Sequence, residues 1–257
     1  MNLPEPIPTN ITDESFAGVT YHIRGALVPE LQLELSGQDV MFEHHTLLWK
    51  ETGTKIELRK LPGGVKRKIA GLDFFVTKAI GPGRIAFSRD WPGQCIPLHL
   101  SSGQALNVRE HHFLAATDNL DYSFERVKGV RNMLLGGQGF FIDTFAATGG
   151  DAVVWVSGQG NVFEVSLGAG EQIDVEAGGW LYKDTSVKLE SVSLGLKTGM
   201  FAGDHKMTYN RFTGPGRLAI QTLYIEPIEG EGAGGSNVGA AATGGVAGAV
   251  IGGLLRG

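Results

Sequence analysis

The chain reads "IGPGRIAFSR" from Ile80 to Arg89 and "TGPGRLAIQT" from Thr213 to Thr222. Gly81 and Gly214 each open the same phrase: Gly-Pro-Gly-Arg, an aliphatic residue, Ala, then a large apolar residue. Between them, from Gly149, "GGDAVVWVS" keeps the turn and the apolar run but lacks Pro and Arg. The three glycines stand 68 and 65 residues apart. A second landmark has the same rhythm: "GQDVMFEHHTLLW" from Gly37, "GQALNVREHHFLA" from Gly103 and "GEQIDVEAGGWLY" from Gly170, spaced by 66 and 67. Val40, Leu106 and Ile173 share one offset, and so do Leu47, Phe113 and Trp180. Two independent landmarks with one period identify three diverged copies of a single unit, over about residues 20–90, 91–157 and 158–228.

Each unit reads as strands. Val40 and Phe42, and their equivalents, alternate apolar with polar, the period of a half-buried strand. Four turn-like residues and a second apolar run predict a hairpin. Gly-Pro-Gly suits a type II turn, and "RIAF", "AVVW" and "RLAI" read as buried strands beyond it. "DYSFERVKGVRNML" from Asp121 is the nearest helical candidate, weakened by Gly129. The expected class is all-β. A unit of about 66 residues is marginal alone, so three related units are expected to bury their apolar faces against one another around a pseudo-threefold axis. Ile85, Val153 and Leu218 should be buried together. Trp49, Trp155 and Trp180 fall at strand positions and are expected in the core. Residues 1–19 are an extension before the first unit.

Composition narrows the function. Net charge is −5 and charged residues make up 19% of the chain, which argues against a nucleic-acid binder. Cys95 is the single cysteine, so neither an internal disulfide nor a Cys-built zinc site exists; a small core residue is the expected role. The opening "MNLPEPIPTNITDESF" has neither the basic start nor the apolar run of a secretory signal, and it is not an Arg-rich transit peptide. A cytoplasmic location follows as an expectation, with membrane association open.

"GGQGFF" from Gly136, "LKTGMFAG" from Leu196 and "RFTGPGRLAIQT" from Arg211 resemble bacterial members of a mitochondrial biogenesis family, the one named for number twenty-four of the altered-inheritance-of-mitochondria series. The resemblance spans about residues 16–228. It implies three repeats of the β-rich unit seen in tryptophan RNA-binding attenuation proteins. It also implies a link to membrane organisation, since the fungal member is associated with the inner mitochondrial membrane. It carries over no catalytic residue.

Several residues invite a chemical reading. His44-His45 and His111-His112 occupy one offset, beside Glu43 and Glu110, and imidazoles with a carboxylate are metal-ligand types. His45 and His111 are therefore the candidate metal ligands, with His205 able to join them. Adjacent residues on a strand point to opposite faces, and unit three has Gly178-Gly179 here, so an exposed hairpin tip is the competing reading. Arg84 and Arg217 share one position and could bind an anion or lipid headgroup beside glycine N–H groups; pairing with a neighbouring acid is the alternative. "LRKLPGGVKRK", with Arg59 and Arg67, is the one strongly basic patch, suited to an anionic surface or simply to solvent. The other units do not repeat its charge, so a symmetric RNA track is not expected. No phosphate-binding loop or nucleophile elbow is present, and no cofactor is implied.

The expected function is a non-catalytic scaffold or binding protein serving protein assembly or membrane organisation. Its expected partners are another protein or further copies of itself. The alternative is a small-ligand or metal-dependent enzyme with a cleft between repeats. The last segment, 229–257, is Gly- and Ala-rich. No charge occurs between Glu231 and Arg256, and Gly244, Gly248 and Gly252 recur every fourth residue. A flexible tail is expected there, with reversible contact to a membrane or to itself as its activity. Its apolar run is too short to span a bilayer.

Overall fold

The computed structural model describes residues 3–7, 13–60, 75–126, 141–193 and 208–224. The chain divides into two units, Met1–Ile225 and Glu226–Gly257. The second lies outside the described residues, and with it the expectation for the tail. The described residues form strands and one 3₁₀ turn, His44–Thr46, with no α-helix; the class is all-β. Asp121, the start of the helical candidate, instead begins a strand, and residues 127–134 of that candidate lie outside the described residues. No described helix is long and apolar enough to cross a membrane.

Three strands precede the repeated pattern: β1 (Glu5–Pro6), β2 (Glu14–Phe16) and β3 (Val19–Arg24). The first copy, whose repeated strands begin at Glu30 and not near residue 20, contributes β4 (Glu30–Leu35), β5 (Val40–Phe42), β6 (Leu47–Lys50), β7 (Lys55–Lys60), β8 (Phe75–Ile80) and β9 (Gly83–Phe87). The second contributes β10 (Gly93–Leu100), β11 (Ala105–Arg109), β12 (Phe113–Thr117), β13 (Asp121–Arg126), β14 (Phe141–Ala146) and β15 (Ala152–Gln159). The third contributes β16 (Val162–Leu167), β17 (Gln172–Glu176), β18 (Trp180–Asp184), β19 (Lys188–Ser193), β20 (Thr208–Thr213) and β21 (Gly216–Gln221).

The pairing within each copy is the same. First strand pairs with sixth (β4·β9, β10·β15, β16·β21), third with sixth (β6·β9, β12·β15, β18·β21), fourth with fifth (β7·β8, β13·β14, β19·β20), and second with fifth (β5·β8, β11·β14, β17·β20), all antiparallel. Even the register shift in the third strand recurs, between Leu47 and Trp49, Phe113 and Ala115, and Trp180 and Lys183.

The expected hairpin between second and third strands does not form. β11 and β12 lie in different sheets, as do β5 and β6, and β17 and β18. Strand periodicity reports which face is buried, not which neighbour is paired, and four turn residues serve a sheet-to-sheet corner as well as a hairpin. Instead, the second strand of one copy joins the third strand of the next: β5 pairs with β12, and β11 with β18.

These junctions build a seven-stranded sheet, β1-β16-β21-β18-β11-β14-β13, and a six-stranded sheet, β10-β15-β12-β5-β8-β7. A third junction, β17 to β6, would build the matching third sheet. Here it is open: β17-β20-β19 and β2-β3-β4-β9-β6 stand as separate sheets ending on β17 and β6.

Three apolar cores fill the described body. One gathers Tyr21, Leu33, Phe42, Ile85, Phe87, Val153 and Trp155; a second Phe113, Phe145, Val154 and Leu181; a third Trp180, Phe212 and Leu218. Ile85, Val153 and Leu218 are all fully buried, but Leu218 sits in a different core from the other two. Trp49 departs from the expectation that it is core. It is 38% exposed and Leu48 55% exposed, whereas their equivalents Leu114, Ala115, Leu181 and Tyr182 are at most 2% exposed. The reason is the open junction: the other third strands are flanked on both sides, and β6 on one.

The repeated Gly-Pro-Gly-Arg phrase has a steric reason. A Cβ at Gly81 would stand 2.6 Å from the Leu35 carbonyl oxygen, and one at Gly214 2.4 Å from that of Gly168. In both copies the phrase passes tightly over the end of the first strand. Gly83 and Gly216 adopt φ of 142° and 138°, far from the +80° of the type II turn that the sequence suggests. The preceding Gly–Pro bonds are cis.

Candidate functional site

The arginine of the phrase answers to an acid in its own copy. Arg84 donates from Nε to Glu51 Oε1 (2.8 Å) and from its backbone N to Glu51 Oε2 (3.0 Å). Arg217 makes the same pattern with Asp184: backbone N to Oδ2 at 2.8 Å and Nη2 to Oδ1 at 3.0 Å. Glu51 and Asp184 share one offset. In the middle copy the arginine is Ala152 and the acid is Thr117, whose hydroxyl accepts from Val153 N at 3.2 Å. Both members of the pair are lost together, as expected when each stabilises the other. Arg84 holds the Glu51 carboxyl below its ordinary range.

Arg59 is likewise engaged, with Asp118 at 2.9 Å and the Leu120 carbonyl at 3.2 Å. Lys78 bridges Asp118 and Asp39 at 2.8 Å each. Arg67 and His205 lie outside the described residues.

His45 and His111 do come together, around an arginine that the sequence did not single out. Arg89, whose side chain is 4% exposed, bonds His45 Nε2 and the His111 carbonyl. It also donates to Glu43 Oε2 and the Phe113 carbonyl, both at 3.1 Å, and lies 4.7 Å from the Trp91 ring centroid. One guanidinium therefore ties the tip of the first copy to the tip of the second. Burial, then the Arg89 charge, lowers His45 to about 4. Among the described residues no group of three or more His, Cys, Asp or Glu side chains is placed to hold a metal.

His112 lies behind this hub, fully shielded. Its Nδ1 stands 2.6 Å from the Ser157 carbonyl, and its Nε2 faces Gln221 Nε2 at 3.4 Å. The Gln221 amide is fixed because its Oε1 accepts from Gln159 N (3.0 Å) and its Nε2 donates to the Gly178 carbonyl (3.0 Å). His112 therefore carries its proton on Nδ1 and accepts at Nε2. Burial lowers its pKa to about 3. Arg109 plays the tying role at the next junction, donating to the Ala177 carbonyl at 2.5 Å beneath the Tyr224 ring. That ring accounts for the first glycine of the third copy's tip: a Cβ at Gly178 would meet it at 2.4 Å.

A cleft of about 550 Å³ opens between the second and third copies and the N-terminal segment. Leu3, Ile7 and Leu98 give it apolar wall, and His99, Glu164 and Arg217 give it polar groups. Tyr182 donates to Glu164 Oε2 at 2.5 Å, and burial raises its hydroxyl pKa. Arg217 thus borders a space of small-molecule size, with part of its charge committed to Asp184. Cys95 is buried and unpaired, and burial pushes its thiol up, in keeping with a core role.

Two of the sheet edges, β6 and β17, belong to the third junction. β6 presents Leu48 and Trp49, with Trp49 Nε1 donating to Glu30 Oε1 at 2.6 Å. β17 presents Gln172, Asp174 and Glu176 to solvent, and Asp174 holds Arg211 through two bonds of 2.7 Å.

The family model described as Mitochondrial biogenesis AIM24 matches residues 21–223. No curated protein matches the sequence. The crystal structure of a Streptococcus pyogenes protein superposes with a TM-score of 0.60 at 18% identity, covering 80% of this chain and 94% of that one. At that identity the likeness concerns the fold alone. The match to the family model covers all three copies from Tyr21 to Leu223, and on it the chain belongs to the mitochondrial biogenesis AIM24 family.

Proposed function

We propose that the protein is a non-catalytic β scaffold that works by joining protein chains through its sheet edges. The observation that carries this is β6: a sheet edge with no strand beside it among the described residues, on which Leu48 and Trp49 face solvent where both equivalent strands are buried. Such edges are templates for strand addition, and folded proteins ordinarily blunt or cover them. The polar constellations support the same reading. The guanidiniums of Arg84, Arg89 and Arg217 are spent on holding strands and tips together. The formed junctions, β5 with β12 and β11 with β18, tie neighbouring copies into continuous sheets that carry such an edge. A membrane-linked role, with contact through residues 230–257, belongs to this proposal on the strength of their sequence and of the family.

The test is native size in cell extract and after purification. The wild-type protein should run well above the mass of one chain. A Leu48→Glu, Trp49→Glu variant should run at one-chain mass and still unfold in a single cooperative transition, since neither side chain is in the core. A wild-type protein found at one-chain mass in both settings would remove the scaffold reading.

A further inference from the structure

Resting on that scaffold reading, we propose that the partner is a second copy of this chain: β17 of one copy pairs antiparallel with β6 of the next, with Lys50 opposite Asp174. The register comes from the two junctions that are formed. In both, the thirteenth residue after the landmark glycine, on a third strand, faces the fourth residue after the landmark glycine of the preceding copy. These pairs are Ala116 with Met41 and Lys183 with Asn107. Next to them, Ala115 faces Phe42 and Tyr182 faces Val108. The same offsets at the open junction place Lys50 opposite Asp174 and Trp49 opposite Val175.

The chemistry fits this register. Lys183 Nζ gathers two carbonyls of its own turn, Val187 at 2.7 Å and Asp184 at 3.5 Å, and reaches across the junction to Asn107 Oδ1 at 2.9 Å. Lys50 Nζ gathers the equivalent carbonyls, Thr54 at 3.0 Å and Glu51 at 3.3 Å. An ammonium has a third proton to donate, and in this register Asp174 supplies a carboxylate in place of the Asn107 amide. That carboxylate keeps acceptor sites beyond the two used by Arg211. Across the same pair of strands Trp49 meets Val175, an aromatic against a β-branched residue, a favourable cross-strand pair. The first strand pair of the junction is thus charge-complementary and the second apolar.

A second copy is the occupant because the two edges are different and mutually complementary halves of one junction. Within one chain the halves are not joined, although the other two junctions are. Every copy therefore offers one half of each kind. This is a head-to-tail interface, which propagates into a ring or a filament according to its rotation.

The test uses two full-length proteins, one carrying Lys50→Cys and one carrying Asp174→Cys; native Cys95 is buried. Mixed and oxidised, they should form a disulfide between positions 50 and 174 of different chains, which neither forms alone. A charge exchange gives a second readout. Asp174→Lys should weaken association at least tenfold, and adding the Lys50→Glu protein should restore it, because each then supplies the matching half. Asp174 is exposed, so the weakening by Asp174→Lys can be read even if a Lys50 variant folds poorly; the cross-link and the rescue are read with Lys50 variants whose melting temperature matches wild type. If a double Cys variant closes its disulfide within single chains, the junction is intramolecular and the proposal is overturned. If wild-type protein assembles but the cross-link and the rescue both fail, the edges serve another partner; the scaffold reading stands and this proposal does not. One-chain mass throughout overturns both.

Discussion

Arg89→Ala should lower stability by about 3–5 kcal/mol, the cost of removing one member of a buried, hydrogen-bonded charge cluster. The guanidinium satisfies Glu43 and the Phe113 carbonyl at 3.1 Å each, and also bonds His45 and the His111 carbonyl. Deleting it leaves these acceptors facing one another at the meeting of two copies. Arg89→Lys should recover only a minor part, since an ammonium cannot reproduce the planar fork. Urea unfolding of the three proteins measures the effect. A loss below about 1 kcal/mol for Arg89→Ala, the range of a surface ion pair, would show that the hub does not hold the copies together.

Acid should destabilise the fold through His112. In the unfolded chain a histidine titrates near pH 6.5; in the fold His112 is lowered to about 3. Between these values the unfolded state binds a proton that the folded state refuses. The stability contributed by the neutral imidazole is therefore complete above about pH 6.5. It falls by about 1.4 kcal/mol for each pH unit below that, reaching about 2 kcal/mol at pH 5. The geometry gives the reason: a proton on Nε2 would point at the Gln221 amide donor, in a buried setting with Arg89 and Arg109 nearby. His45, lowered to about 4, adds in the same direction, but its side chain is 45% exposed and solvent reduces its share. Unfolding midpoints at pH 7.5 and pH 5, for wild type and for His112→Gln, isolate the effect. The variant should lose much of the pH slope. Equal slopes would place the sensitivity elsewhere, His45 being the other histidine lowered through this range.

Much of this architecture is legible in the sequence, and the limits have physical causes. The period of about 66 residues is visible because the tight passage over the first strand demands Gly at 81 and 214, and the junction demands apolar residues at fixed offsets. The pairing of strands across copies is not visible, because alternation encodes a face and leaves the neighbour open. Trp49 reads as core because its equivalents are core; the offset is blind to a junction that one copy leaves open. The acids that meet Arg84 and Arg217 did leave a signal: Glu51 and Asp184 share an offset, and Thr117 breaks it in the copy that also lacks the arginine. Arg89 left none, since the residues aligned with it, Ser157 and Thr222, carry no charge. Its role comes from the convergence of two tips that lie apart in the chain.

The open junction itself can be read amide by amide by hydrogen exchange at low and at high protein concentration. The outward-facing amides of β6 and β17 should exchange freely in dilute solution and become protected together as concentration rises. Those of β12 and β18, already paired across formed junctions, should be protected at both. Protection of β6 and β17 that is independent of concentration would show a junction closed within the chain, and persistent free exchange at high concentration would show edges that join no second copy.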